Sequence, residues 1–120
     1  MKGRNPSAAE KRYHDKLCTM VGCIACRKEG HHNTHVSVHH VDGRTKPMAH
    51  WLVLPLCAGH HQDGYGPVPM IAVHPYKARF EAKYGRQLDL VAECASLLVE
   101  QGIELPLEIQ ELTGVSHVLA

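Results

Sequence analysis

Two matched pairs, Cys23-x2-Cys26 and Cys57-x2-His60, offer four soft or borderline ligands. That number and those types are what tetrahedral zinc takes from a turn and the start of a helix. Two histidine doublets accompany them. His39-His40 ends an alternating segment, and His61 follows His60 directly. Adjacent strand residues point to opposite faces, so His39 and His40 are suited to different tasks. One imidazole can hold a metal while its neighbour is offered to a water molecule. His61 lies about 100° around a short helix from His60 and is placed to complete the site that His39 begins.

Five cysteines are an odd number. Residues 1–16 are polar and charged, unlike a secretory signal, and no apolar run approaches the ~18 residues of a membrane span. A soluble, cytoplasmic protein of one main domain is expected, with no membrane partner. In that compartment Cys23-x2-Cys26 reads as a metal knuckle or a redox pair rather than part of a disulfide framework. A thioredoxin-like pair would need a βαβ unit around it, and none is legible.

The elements that must position these groups follow from local pattern. Ser7-Ala-Ala-Glu10 is a capping box, and Tyr13, Leu17, Met20 and Val21 continue at helical spacing, which predicts a basic helix over 7–20. Residues 34–41 alternate as a strand. Asp42-Gly43 opens a turn that extends through Lys46-Pro47. Residues 51–54 predict a second strand stopped by Pro55, and 57–62 a short helix. Residues 64–69 read as a loop and 75–84 as a helix ended by Gly85. The strongest helix is 89–101, where Leu90, Val91, Cys94, Leu97 and Leu98 form one stripe and make Cys94 a core residue. Residues 1–102 form the folded domain, and 103–120 an acidic tail expected to be partly disordered beyond Pro106.

The net charge of +1 conceals a gradient, from +5 over residues 1–28 through +2 over 29–86 to −6 beyond. Near-neutrality therefore does not argue against a nucleic-acid partner. Arg44, Lys46, Arg79, Lys83 and Arg86 flank the histidines and are candidates for phosphate contact, extended by Lys2, Arg4, Lys11, Arg12 and Lys16. Aromatic residues make up 5% of the chain, too few for a base-stacking platform, so sequence-specific readout is not indicated.

Cys23-x2-Cys26, Val38-His39-His40-Val41 and Leu56-Cys57-Ala58-Gly59-His60-His61 together resemble the HNH group of ββα-metal endonucleases, in the version built on a treble-clef zinc knuckle. The run from His39 to Pro47, that from Pro55 to His61, and His74 with Phe80-Glu-Ala-Lys-Tyr-Gly85 are similar to the phage recombination-enhancement (Ref-like) nucleases, which are described as RecA-dependent. The resemblance covers roughly residues 12–86. It implies an α+β fold with a small ββα-metal core, a zinc knuckle and flanking helices. Structural Zn²⁺ falls on Cys23, Cys26, Cys57 and His60. DNA is the implied substrate and a RecA filament the implied partner, in the host cytoplasm if the chain is phage-encoded.

By the same resemblance His40 is the general base, and His39 and His61 hold a catalytic Mg²⁺ or Mn²⁺. Nitrogen ligands suit Mn²⁺, Co²⁺, Ni²⁺ or Zn²⁺ better than Mg²⁺. The middle Asn of the HNH pattern is absent. His50, just ahead of the second strand, is the candidate substitute that orients His40. His74 is a candidate further ligand of metal or phosphate. Asp42 offers either an oxygen ligand or simple turn chemistry. His14, His31, His32, His35 and His117 read as surface residues. The alternative is a zinc-stapled nucleic-acid-binding or adaptor domain without activity, which would have no use for His39, His40 and His61 together. A metal-storage role rests only on the eleven histidines. No motif specifies an oligomeric state.

Overall fold

Ser7 and Glu10 start the chain's first helix as the capping box requires: the Ser7 hydroxyl accepts from the Glu10 N–H at 3.2 Å, and the Glu10 carboxylate accepts from the Ser7 N–H at 2.7 Å. The computed structural model describes residues 3–62 and 70–116. Helix α1 (Ala8–Lys16) runs into a π-helical turn at Leu17–Val21, so the predicted 7–20 element is present but widens at its end. Tyr13, Leu17 and Val21 are buried, as their spacing predicts.

Gly22 closes this turn with φ +71°, and a Cβ there would lie 2.6 Å from the Asn33 carbonyl oxygen. The close approach lets the Cys23 N–H donate to that carbonyl at 2.8 Å. It draws the segment beyond helix α2 (Ile24–Lys28) back over the cysteines.

Strands β1 (Val36–His40) and β2 (Val53–Cys57) form a two-stranded antiparallel sheet, with His39 opposite Leu54 and His40 opposite Val53. Pro55 does not stop β2, contrary to the sequence expectation. The Val41 N–H donates to the Leu52 carbonyl at 3.0 Å, and counting along the register makes Val38–Pro55 a non-hydrogen-bonded pair. The missing N–H of Pro55 then costs no ladder bond. β2 is buried along its length, packed by α2, by helix α3 (Ala58–His61) and by helix α5 (Gln87–Glu100).

Helix α4 (Val73–Tyr84) buries Val73, Phe80 and Tyr84, with non-helical dihedrals at His74 and Tyr76. In α5 the buried residues include Leu90, Val91, Cys94 and Leu98 of the predicted stripe, while its fifth member, Leu97, is half-buried against the core. The predicted loop at 64–69 lies outside the described residues.

Residues 103–116 differ from the expectation of a loose tail. Helix α6 (Leu107–Thr113) starts after Pro106, buries Ile109 and packs against α5, with Leu105 buried beside it. Proline suits a helix start because it has no N–H to leave unpaired. Leu105 and Ile109 stand four apart and face one way, a short apolar signal masked by the carboxylates around it. Among the described residues no helix is long and apolar enough to cross a membrane.

An ion pair fastens the amino terminus to this frame. Both Arg4 guanidinium nitrogens donate to Glu10 carboxylate oxygens at 2.7 Å. Arg4 holds the buried Glu10 carboxyl down at about 2, against 4.5 for the ordinary group. A depressed carboxyl stabilises the fold above the unfolded value and ceases to do so as pH falls through the folded one. Glu10→Gln should therefore lower unfolding stability by about 2 kcal/mol at neutral pH, allowing for the exposure of Arg4. In denaturant titrations the gap between wild type and variant should narrow from pH 4.5 and close near pH 2.

Candidate functional site

The first donor set is closed. Cys23, Cys26, Cys57 and His60 are all buried, and their ligand atoms lie within 4.8 Å of one another. Cys26 and Cys57 Sγ are 3.7 Å apart, and His60 Nδ1 is 3.5, 3.5 and 3.2 Å from Cys23, Cys26 and Cys57 Sγ. A tetrahedral ion with ordinary Zn–S and Zn–N bonds spaces sulfurs roughly 3.8 Å apart and sulfur from nitrogen roughly 3.5 Å. The residues therefore fit Zn²⁺. Burial pushes the Cys23 and Cys26 thiols up, and a bound cation reverses that by favouring the thiolates.

A second ring of groups orients this set. His60 Nε2 lies 3.2 Å from Glu29 Oε1 and 3.0 Å from the Tyr84 hydroxyl. With Nδ1 turned to the sulfurs, Nε2–H donates to the carboxylate, the usual support of a metal-bound imidazole. Lys83 completes the group at 2.9 Å from Glu29 Oε2. Burial would raise the Glu29 carboxyl, but Lys83 and Tyr84 outweigh it and hold it below the ordinary value.

The second donor set is open. His39, His61 and His74 bring ligand nitrogens within 4.8 Å, with His39 buried, His61 half-buried and His74 exposed. His39 Nε2 donates to Gln87 Oε1 at 2.7 Å, which leaves Nδ1 as its ligand atom. Burial pushes His39 down to about 4, assisted by His61 and His74. Burial, His74 and Arg44 lower His61. Neutral imidazole is the form that binds metal. A backbone bridge between Gln62 and His74 sets His74 beside α3.

His40 faces away from this set, as strand parity requires. His40 Nε2 and His50 Nδ1 are 2.9 Å apart. His50 Nε2 donates to the Arg4 carbonyl at 2.6 Å, and His14 Nε2 donates to the His50 carbonyl at 2.6 Å. His14 is thus not the free surface residue its sequence position suggests. His31, His32 and His35 are exposed, as expected, and His117 lies outside the described residues. Burial, reinforced by Arg44, His50 and His14, pushes His40 down to about 4. Its Nδ1 is buried with no hydrogen-bond partner among the described residues.

Residues lining a pocket of about 630 Å³ include His39, His61, His74, Arg44 and Lys77, with His40 at its wall. The other predicted phosphate contacts are placed differently. Lys46 pairs with Asp42 at 3.0 Å, so Asp42 serves the turn, outside either donor set. Arg79 lies over the Tyr76 ring at 5.2 Å. Lys83 supports Glu29 beside the cysteines, and Arg4 is engaged by Glu10. Arg86 sits 3.7 Å from Asp89. Lys11 and Arg12 are exposed on α1, and Lys2 lies outside the described residues. Sequence reasoning assigns no role at the site to Lys77, Gln87, Glu29 or Tyr84, although Tyr84 lies in the run from Phe80 to Gly85. Lys77 carried a further signal, its charge three residues after His74.

Residues 6–99 match the family described as recombination enhancement, RecA-dependent nuclease. The match takes in both donor sets and His40.

Zn²⁺ should bind wild type at one ion per chain by mass spectrometry, and Cys26→Ser should abolish that binding and lower the melting temperature strongly. Glu29→Gln should leave the fold intact and weaken zinc affinity about tenfold, measured by chelator competition.

Proposed function

The chain belongs to the family of recombination-enhancement, RecA-dependent nucleases, and on that premise we propose a metal-dependent DNA endonuclease of the HNH kind. His40 is its general base, and His39, His61 and His74 hold a divalent ion. The observation that carries this reading is the contrast between the two donor sets. Four buried ligands close the cysteine set, whereas three histidines graded from buried to exposed leave the other open. Structural sites are closed, and catalytic ones keep a position for water or substrate.

Each residue then has a definite task. Arg44 and Lys77 line the pocket and receive a backbone phosphate, Arg44 through its planar donor fork and Lys77 as a point charge. Gln87 holds His39 in the tautomer that turns Nδ1 to the ion. His39, His61 and His74 would hold the divalent cation, which when bound would supply Lewis-acid stabilisation of charge developing on the phosphate and the leaving oxygen. His40 takes a proton from water, whose oxygen attacks phosphorus in line. The P–O3′ bond breaks, and the 3′-oxygen leaves with a proton from solvent. Three imidazole donors favour Mn²⁺ or a later transition ion over Mg²⁺. The closed set serves as a structural Zn²⁺ staple.

RecA enters as the partner that presents DNA, and the test includes it. Wild type, with Mn²⁺ and a displacement loop on a RecA filament with ATP, should cut. His40→Ala should lower the rate at least about 100-fold, with zinc content and DNA affinity retained. Equal cutting by the variant would remove His40 from the chemistry. Binding without cutting under every metal, with or without RecA, would instead establish the adaptor reading. Affinity should fall with salt, and Lys77→Ala should reduce the slope of log affinity against log salt by about 1.

A further inference from the structure

The amino-terminal residues approach the pocket through their backbone. Gly3 packs so closely on the Arg44 main chain that a Cβ would collide with the Arg44 carbonyl oxygen. Arg4 is tied on its other side by the Glu10 carboxylate and donates to the Pro47 carbonyl at 3.1 Å. Two of the partners of this strap, Arg44 and Pro47, belong to the connection that carries His50 between the strands. The Arg4 carbonyl meets His50 Nε2 at 2.6 Å, and His50 is 1% exposed.

A carbonyl oxygen can only accept, and this constrains the two rings beyond it. His50 must carry its proton on Nε2, so in the neutral pair its Nδ1 is an acceptor. His40 Nε2, 2.9 Å away, must then be the donor. The His40 lone pair is left on Nδ1, the nitrogen with no partner among the described residues. A buried polar atom without a partner calls for a functional explanation, and readiness to receive a proton is one.

We propose that Gly3 and Arg4 are positioning residues of the reaction: the Arg4 main-chain carbonyl sets the tautomer of His50, and through it leaves the His40 lone pair on Nδ1, the nitrogen from which the base would act. This rests on the reading of His40 as the base. The strap acts through its backbone, so its effect does not depend on the charge of the Arg4 side chain meeting DNA. The relay also differs from a purely structural clamp, because it dictates where two protons sit.

The test uses the full zinc-loaded chain with ¹⁵N-labelled histidine, examined by long-range ¹H–¹⁵N NMR at neutral pH. Wild type should show slowly exchanging Nε2 protons on both His50 and His40, with scalar coupling from the His40 proton to His50 Nδ1. Gly3→Ala, which changes no charge, should abolish the coupling and the slow exchange. It should also lower kcat about tenfold while KM for DNA stays constant, a split expected when only the chemical step suffers. Removal of residues 1–4 should do the same. A wild-type His40 protonated on Nδ1 would overturn the relay, and so would a signal and kcat untouched by both alterations. The wild-type spectrum decides even if a variant fails to fold. Full cutting by His40→Ala with the coupling present in wild type would leave the relay standing and strike down the base assignment instead.

Discussion

Cys23, Cys26, Cys57 and His60 converge within 4.8 Å inside a core with few aromatic residues, and the rest of the molecule is arranged about that convergence. It joins the knuckle before β1 to the end of β2, so the sheet does not depend on its two strands alone, which would be marginal in water. Through His60 Nε2, Glu29 and Tyr84 it also gathers the end of α4. Metal binding to such a set is folding energy, because no preformed site exists in the unfolded chain.

The same anchoring supplies precision to the open set by single-residue steps. His61 follows a residue held by three sulfurs, and His39 precedes the residue held by His50. On β1, one peptide separates a side chain turned to His61 and His74 from one turned to His14 and His50. The sheet's period of two thus keeps the His39 and His40 imidazoles in separate environments although they are neighbours in sequence. Gln87 and the Arg4 carbonyl complete the arrangement by occupying one nitrogen of His39 and of His50.

Charge is distributed with equal economy. Several basic residues of the amino-terminal two-thirds are neutralised locally, Arg4 by Glu10, Lys46 by Asp42 and Lys83 by Glu29. Arg44 and Lys77 remain at the pocket. The acidic end of the chain is part of the folded body through Leu105 and Ile109, where it balances the total without lining the histidine pocket.

Much of the site was legible before folding. The paired ligands, the doublet parity and the stripe of α5 are local properties, set by spacings of three or four residues on helices and two on strands. Pro55 misled because its effect depends on register, which residue order near a proline does not reveal. The α6 segment misled because two apolar side chains among carboxylates bury only when α5 is there to receive them. His74 joining His39 and His61, Gln87 behind His39, and Arg4 reaching His50 were beyond any local pattern. Sequence alone determined which atoms were available to bind metal or accept a proton. Tertiary structure decided which of them share a centre and which nitrogen of each ring is left free, because those outcomes depend on distances between residues far apart along the chain.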